Sequence, residues 1–506
     1  MRKKNSIRNS FFTTVRYILN ILASFIVRTI FIQMLSAEYL GVNGLFSNIL
    51  HLLSLAELGI GNAINYALYK PLADNDRTRI KQLMAFYKNA YRIMGVVVSV
   101  IGLAFMPFFQ FLIKDPPQIR ENLYYIYLLF LFNTASSYFF VYKRSLILAD
   151  QKEYIVSIVE IIYTIVLNVS QIIILIVTRN FFLYLAVQIL ANILQNITIA
   201  KVCDFQYKFI KNAKDKLPQE DKQKIFKDVK ALFLYRIGGI VQDSTDNLIL
   251  SKFVGIIWVG LYSNYYLIIH SIHSLIILFI SGTKASIGNL NTTDDAEKKS
   301  LIFDSTMFIA FWLFGLASIC IYVLIDNFIS FWISPDYVLP KNVLIILVVN
   351  FYLAGLSRTF LIFRDTFGIF IQGRYCPVIS AIVNISASIF LVQRFGAFGI
   401  FLGTAISYMA VNVWMEPYFL FKYGLKKKVF PFYVRYIQYA IAVILSVILA
   451  ARICAFIQLN SIVFKLLVHL AVSFIVGNIV FMIAFSRKEE FKYLLSIVKG
   501  IRKIVN

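Results

Sequence analysis

The sequence predicts an all-α, polytopic membrane protein of about fourteen transmembrane helices, and three features of the chain lead to this prediction. First, 59% of the 506 residues are hydrophobic and only 15% are charged, whereas about a quarter of the residues in soluble domains are charged. Second, the apolar residues form long runs such as Ile93–Ile113 and Ile155–Val177, and roughly 20 such residues let a helix cross a bilayer. Third, the runs lack the period-two alternation of barrel strands, so the backbone in lipid has to be helical.

The apolar runs divide into fourteen spans. The first run follows a basic N-terminal segment and continues to Leu35, which is too long for the core of a signal peptide, and no small-residue cleavage site follows it. It is therefore predicted to be the first transmembrane helix. The spans lie at about 11–35, 40–69, 85–113, 121–148, 154–178, 181–202, 231–251, 256–281, 301–333, 340–362, 375–393, 396–421, 432–456 and 461–486.

The basic residues orient the chain, because Lys and Arg concentrate on the cytoplasmic side of membrane proteins. With the N-terminus inside, 40 of the 50 Lys and Arg residues fall on inner segments and 8 fall on outer loops or outer helix ends. This distribution predicts an even number of spans and both termini in the cytoplasm. The net charge of +24 then reflects topology and attraction to anionic membrane lipid, so no nucleic-acid partner is required.

Two short sequences occur twice along the chain at nearly the same spacing. GLFSN at Gly44–Asn48 returns as GLYSN at Gly260–Asn264, an offset of 216 residues, and a Leu-Ser pair precedes each copy. The pattern Tyr142-Lys143 to Gln151 to Tyr154 returns, at an offset of 221, as Phe363-Arg364 to Gln372 to Tyr375. The two repeats indicate two homologous halves of six spans each. Because six is even, both halves enter the membrane from the same side, as in transporters that hold substrate between two parallel lobes.

This repeat sets the predicted domain boundaries. They are an N-terminal six-helix lobe (1–202), a cytoplasmic linker (203–230), a C-terminal six-helix lobe (231–423), two extra transmembrane helices (424–486) and an amphipathic basic tail (487–506). The tail carries apolar residues at helical spacing with Lys and Arg between them, which is typical of a helix lying in the membrane interface.

Ionisable and polar residues inside the spans are the candidate site residues, because such groups usually face a cavity or a partner. The candidates are Arg28, Glu57, Asn65, Arg236, Asp243, Asp246, Asn264 and His273. At the offsets of the repeat, Arg28 corresponds to Asp243 and Glu57 corresponds to His273. We expect these pairs to face each other across a central cavity; ion pairs or hydrogen bonds within one lobe are the alternative.

The candidate residues permit two kinds of chemistry. A guanidinium binds phosphate oxygens in a forked geometry, so Arg28 and Arg236 are candidate substrate-binding cations in the cavity. The carboxylates, chiefly Glu57, Asp243 and Asp246, are suited to carry a coupling H⁺ or Na⁺, and the sequence does not separate these roles.

No enzymatic or cofactor motif accompanies the spans. The four cysteines are far apart, and His270 and His273 lack further ligands, so neither set predicts a metal site. No phosphate-binding loop, nucleotide fingerprint or Ser/His/Asp arrangement is present. The sequence therefore predicts no catalytic residue and no cofactor, and ion gradients or substrate flux have to drive any transport.

The chain resembles a known family in two places. The segment EYLGVNGLFSNILHLLSLAELGIGNAINYALYKPLADND in the first half resembles the bacterial polysaccharide transporters of the Wzx-type, O-antigen flippase family. So does FRDTFGIFIQGRYCPVISAIVNIS followed by FGAFGIFLGTAIS in the second half. The family belongs to the MOP superfamily, with MATE exporters and peptidoglycan-precursor flippases, and it implies two six-helix lobes plus two peripheral helices.

The resemblance also implies a function. A family member moves undecaprenyl-pyrophosphate-linked oligosaccharide repeat units from the cytoplasmic to the outer leaflet of the bacterial inner membrane, for O-antigen, capsule or exopolysaccharide. A polysaccharide polymerase and a chain-length regulator are then the expected neighbours in the pathway. Cationic cavity residues are a general theme of the family, and Arg28 and Arg236 are the candidates in this chain.

Two other functions compete with this one. A MATE-like, ion-coupled multidrug antiporter would share the fold but favour an acidic cavity, and the two intramembrane arginines argue against it. A polymerase or acyltransferase of the cell envelope would need a large outer loop or a His/Arg/Asp cluster. The longest outer loop, near Ile333–Lys341, is too short to form such a site.

Overall fold

The computed structural model is helical throughout its regular secondary structure, in the part of the chain that it describes. The described residues are 2–54, 60–210, 216–281, 296–367, 369, 372–457 and 459–492, with only the backbone described at 2–4, 60, 62, 224, 227–228, 230–243, 281, 296 and 298. The chain forms two compact units, Met1–Gly260 and Leu261–Asn506.

The first unit contains ten helices and the beginning of an eleventh among its described residues. They are α1 (Arg2–Met34), α2 (Ala37–Leu53), α3 (Ile60–Ala73), α4 (Arg77–Phe105), α5 (Phe109–Leu112), α6 (Leu123–Ser137), α7 (Val141–Ala149), α8 (Glu153–Thr178), α9 (Phe181–Gln206), α10 (Gln219–Phe253) and the start of α11 (Ile256–Ser281). Helix α10 is 35 residues long. It begins inside the segment predicted as a linker and continues without a break through the predicted span 231–251.

The second unit contains the rest of α11 and seven further helices among its described residues. They are α12 (Ala296–Trp332), α13 (Lys341–Phe367), α14 (Cys376–Phe395), α15 (Ala397–Ser407), α16 (Met415–Phe419), α17 (Phe430–Phe456) and α18 (Ile462–Phe485). Two π-helical turns, Tyr408–Val413 and Leu420–Leu425, flank the short α16.

The predicted all-helical, multi-span architecture is confirmed, but the count of fourteen spans is not. Among the described residues, 11 helices are long and apolar enough to cross a membrane, or 12 if the bent pair of α6 and α7 counts as one span. The predicted spans 40–69 and 231–251 fall on α2 with α3 and on α10, which are not among them. Helix α2 has only 17 residues, and residues 55–59, between α2 and α3, lie outside the described part.

The core of the second unit is aromatic. Phe311 of α12 stacks on Tyr439 of α17, with ring centroids 4.2 Å apart and an interplanar angle of 11°. Phe481 of α18 lies 4.7 Å from Phe311 on another side. Such stacks add about 0.5–1.5 kcal/mol per pair to the burial of apolar area. They hold the last two long helices against α12, so these helices belong to the compact unit.

Small and polar residues bring α14 and α15 together. Ser380 and Asn384 hydrogen-bond to Ser407 and Thr404 at 2.8 and 2.9 Å. A side chain at Gly403 would overlap Ser388. A spacing of four residues on α14 and of three or four residues on α15 places these contacts on one face of each helix, which is how close helix packing is achieved in membranes. The turn between them contains Gly396, whose positive φ of 56° suits glycine.

Candidate functional site

Arg28 lies on α1 in the first unit and is half-buried. It interacts electrostatically with Tyr184 of α9, whose hydroxyl also hydrogen-bonds to the side chain of Gln171 on α8. Arg28 therefore lies against residues of its own half of the chain. The side chain of its predicted partner Asp243 lies outside the described part, so the Arg28–Asp243 pair stays a prediction.

The other candidates in the first unit are described to different degrees. Glu57 and the side chain of Arg236 lie outside the described residues. Asp246 is half-buried on α10. Asn65 of α3 is half-buried too, and its side-chain carbonyl oxygen is buried without a hydrogen-bond partner among the described residues. A buried acceptor of this kind costs free energy unless a ligand, water or another group satisfies it, so Asn65 keeps its place among the candidates.

The two candidates in the second unit are packed inside it. Asn264 is fully buried on α11. The ring of His273 lies 5.4 Å from Phe314 of α12 and 6.2 Å from Phe351 of α13. Its predicted partner Glu57 is outside the described part, so the Glu57–His273 pair also stays a prediction.

The repeated pentapeptide forms a close helix crossing in the first unit. A side chain at Gly260 would overlap the carbonyl oxygen of Ala37, and one at Gly41 would overlap the carbonyl oxygen of Ile256. A Cβ at Gly44 would lie 3.1 Å from the side chain of Val259. The glycine of each pentapeptide, Gly44 or Gly260, thus lies where α2, from the first half, crosses the start of α11, from the second half. Only glycine lets two backbones approach this closely. This gives a physical reason why both pentapeptides carry a glycine.

Hydrogen bonds reinforce this end of the first unit, which is the predicted outer end. The ammonium of Lys252 donates to the carbonyl oxygen of Phe111 at 2.6 Å, and the amide of Lys114 donates to that of Ser251 at 3.3 Å. About two helix turns further along α10, His51 Nδ1 lies 2.9 Å from Ser244 Oγ. These contacts hold α10, from the predicted second half, against α2 and the segment around α5, from the predicted first half.

The second repeated pattern corresponds to an ion pair in each unit. Lys143 Nζ lies 2.6 Å from Asp204 Oδ2, and these side chains are 18% and 25% exposed. At the matching position of the second repeat, Arg364 Nη1 lies 2.5 Å from each carboxylate oxygen of Glu416. The side chains of this second pair are only 1% and 4% exposed. In each half the pair joins the fourth and sixth predicted spans of that half, with Asp204 and Arg364 two residues beyond the predicted span ends.

A third charged cluster was not predicted. Glu160 of α8, which is buried, forms ion pairs with Arg16 of α1 and with Arg144 of α7, the latter at 2.6 Å. Arg16 also lies 3.9 Å from Glu153. The sequence shows a carboxylate inside a span but not that two arginines converge on it. Two carboxylates and two guanidiniums thus form a charge-balanced network that joins α1, α7 and α8 at the predicted cytoplasmic end of the first unit.

The comparison with solved structures identifies the fold. No family model and no curated protein matches the sequence. The structure is similar to the lipid II flippase MurJ in an inward closed conformation, with a TM-score of 0.67 and 14% identity, over 94% of this chain and 98% of that one. It is also similar to an inward-facing multidrug resistance MATE transporter of the MOP superfamily, with a TM-score of 0.63 and 14% identity, over 81% and 95% of the two chains.

A third neighbour shows that function varies within this fold. It is a MOP superfamily transporter from Pyrococcus furiosus, matched with a TM-score of 0.55 and 13% identity over 84% of this chain and 97% of that one. The reverse polarity of its binding pocket suggests a different function for that protein. The chain therefore has the fold of MOP superfamily transporters, as the sequence predicted. The charge of the residues that line the site has to distinguish the possible functions.

Proposed function

We propose that the protein is a flippase that moves undecaprenyl-pyrophosphate-linked oligosaccharide repeat units from the cytoplasmic to the outer leaflet by alternating access. The cargo would serve O-antigen, capsule or exopolysaccharide assembly. The protein would lie in a bacterial inner membrane with both termini in the cytoplasm, and a polymerase and a chain-length regulator would use its product.

The extent of the likeness to MurJ is the observation that carries this proposal. A match over 94% of the chain omits about 30 residues, so it has to include more than half of residues 426–506, where α17 and α18 lie. A match over 81% can omit that whole region. The similarity to the lipid II flippase thus includes most of residues 426–506, whereas the similarity to the MATE transporter can leave this region out.

The cationic candidates supply the chemistry that such a cargo needs. A pyrophosphate headgroup cannot cross hydrocarbon unaided, because transferring its charge out of water is costly. A cation on the inner wall of a cavity offsets this cost while the polyprenyl tail stays in lipid. Arg28 and Arg236 are the proposed cations, and Tyr184, beside Arg28, offers a hydroxyl for a sugar or phosphate oxygen.

A MATE-like multidrug antiporter is the second candidate function. It is supported by the several MATE structures that the fold resembles and by the half-buried Asp246 on α10. In that case the carboxylates would bind the coupling H⁺ or Na⁺ or a cationic drug. The two functions differ in the charge that the cavity has to bind, so one pair of variants separates them.

The test deletes the protein and measures which lipid-linked glycan accumulates and on which leaflet. A membrane-impermeant glycan probe is applied to intact and opened cells. The deletion is complemented with wild type, with Arg28→Ala and, as a matched control, with Arg394→Ala, whose side chain is exposed at a helix end.

Accumulation of a complete repeat unit on the cytoplasmic face, relieved by wild type and Arg394→Ala but not by Arg28→Ala, is the expected result. Normal surface glycan with no accumulation would contradict the proposal. If the same strain also became sensitive to cationic drugs, and Asp246→Asn failed to restore resistance, the antiporter function would take its place.

A further inference from the structure

Four lysines surround an open pocket in the turn between the last π-helical turn and α17. The pocket has a volume of about 480 Å³ and is lined by Tyr418, Phe421, Lys422, Lys426, Lys427, Lys428 and Val429. All four lysine side chains are exposed. This group of residues is called the lysine pocket below. The proposed transport function makes no use of it.

The local backbone builds the lysine pocket. Lys426 has a left-handed conformation, with φ of 54° and ψ of 40°, which is uncommon for a residue with a side chain. The amide of Lys427 donates to the carbonyl oxygen of Phe421 at 3.1 Å and closes the turn. The reversal brings the three consecutive lysines back over Lys422. Non-glycine residues held in this region of φ and ψ cluster at binding sites.

The charge of the lysine pocket is not balanced by the described part of the protein. None of its four ammoniums forms an ion pair with a carboxylate among the described residues. Among the described carboxylates of this part of the unit, Glu416 binds Arg364 at 2.5 Å, and Asp304 and Glu490 share Arg435 at 2.8 and 2.6 Å. Lys427 interacts with Asp304 only over a longer range. The pocket therefore presents several uncompensated positive charges.

The surroundings of the lysine pocket are those of a membrane interface. Trp414 is 63% exposed and stacks on Tyr433 at 5.0 Å, and the Tyr433 hydroxyl donates to the Trp414 carbonyl oxygen at 2.7 Å. Amphipathic aromatic residues of this kind mark the headgroup level of a bilayer. The charge distribution of the sequence places the same turn on the cytoplasmic side.

An apolar surface leads away from the lysine pocket along α17. Its exposed residues recur every three or four positions and so share one helix face; they are Phe430, Val434, Ile437, Ile441, Ile444 and Ile448. A lipid whose phosphates lie among the lysines would have its acyl chains beside this face. The lysine pocket and the apolar face of α17 therefore suit the two parts of one lipid, its phosphates and its acyl chains.

We propose that the lysine pocket binds the headgroup of a cytoplasmic-leaflet lipid that carries two phosphates. Two phosphate groups match four ammoniums better than one does, and basic pockets between transmembrane helices on the cytoplasmic side bind such headgroups. Two sources share this chemistry, namely a diphosphatidyl phospholipid of the bulk membrane and a polyprenyl pyrophosphate. The proposal does not depend on the transported molecule.

Native mass spectrometry of the full chain, released from detergent, tests the proposal. The probes are cardiolipin, phosphatidylethanolamine as the zwitterionic reference without net charge, and farnesyl pyrophosphate. The test variant changes Lys422, Lys426, Lys427 and Lys428 to Gln. The matched control changes four exposed lysines of the first unit to Gln, namely Lys70, Lys201, Lys208 and Lys216. A third variant changes the four pocket lysines to Arg.

We expect the pocket Gln variant to bind cardiolipin at least about tenfold more weakly than wild type, because each lysine near the surface contributes measurably to anionic-lipid binding. The first-unit control and the Arg variant should bind like wild type. Lysine-dependent displacement of cardiolipin by farnesyl pyrophosphate would assign the pocket to polyprenyl pyrophosphates, and cardiolipin binding alone would assign it to the bulk phospholipid. Equal binding by wild type and the pocket Gln variant, or an equal loss in the first-unit control, would overturn the proposal. Melting temperatures of all variants verify that each is folded.

Discussion

The buried Arg364–Glu416 pair gives the sharpest prediction about stability. Glu416→Gln keeps the shape of the side chain but leaves the Arg364 guanidinium charged without its carboxylate, at an exposure of only 1%. Removing one partner of a buried ion pair costs about 3–5 kcal/mol of unfolding free energy. The matching pair of the first unit is more exposed, so Asp204→Asn should cost about 0–1 kcal/mol. The two substitutions should thus differ severalfold in the unfolding free energy that they cost, although Lys143 and Arg364 occupy matching positions of the repeated pattern.

A double substitution distinguishes two costs of Glu416→Gln, namely the loss of the ion-pair attraction and the burial of an unpaired charge on Arg364. Arg364→Met with Glu416→Leu replaces the pair by apolar side chains of similar size, and such replacements are often neutral. We therefore expect the double variant to regain most of the stability that Glu416→Gln loses. The assay is thermal unfolding of the purified protein in detergent, and it compares the melting temperatures of wild type, Glu416→Gln, the double variant and Asp204→Asn. Equal losses for Glu416→Gln and Asp204→Asn would refute the reasoning from burial.

The remaining predictions concern the helix crossing and the predicted cytoplasmic end of α9. Gly41→Ala should lower the melting temperature because its Cβ would overlap the Ile256 carbonyl oxygen, whereas Gly95→Ala should be tolerated because its nearest neighbour lies at 3.4 Å; a neutral Gly41→Ala would contradict the close crossing. Tyr207 donates to Asp150 at 2.6 Å, and burial together with this hydrogen bond raises the pKa of the Tyr207 hydroxyl above its usual 10. The folded state then holds this proton more tightly than the unfolded state, so the stabilisation is complete below pH 10 and declines as pH rises further. The stability gap between wild type and Tyr207→Phe should narrow above pH 10, and a constant gap would rule this out.

The architecture could be predicted because membrane helices are encoded locally. Long apolar runs indicate helices that can cross a membrane without any tertiary information, and the Lys and Arg bias predicts an orientation that stays a prediction. The pentapeptides GLFSN and GLYSN were visible in the sequence, and the structure places the glycine of each at one helix crossing; the division into two homologous halves stays a prediction. The ends of helices were less predictable where a helix extends into a charged segment. Helix α10 begins at Gln219 in a strongly charged segment, and charged sequence alone does not show whether a helix continues into the membrane.

The charged sites were harder to predict, because they depend on how each helix is rotated about its axis and where it is interrupted. Glu416 reaches Arg364 from the short helix between two π-helical turns, and such turns leave no clear mark in the sequence. The match between Lys143 and Arg364 was the available signal, but it did not identify the carboxylate partners. The lysine pocket was counted only as positive charge on an inner segment. Its cavity depends on the left-handed conformation of Lys426.

The central claim is that the protein itself moves a lipid-linked oligosaccharide across the membrane, and reconstitution tests it most directly. Purified protein is placed in vesicles whose inner leaflet carries an undecaprenyl-pyrophosphate-linked oligosaccharide, and a membrane-impermeant glycan-modifying probe is added outside. We predict that the glycan becomes accessible with wild type and with Arg394→Ala, and much more slowly with Arg28→Ala. A glycan that stays inaccessible under every imposed H⁺ or Na⁺ gradient, while the same vesicles exchange a cationic drug for the ion, would contradict the account.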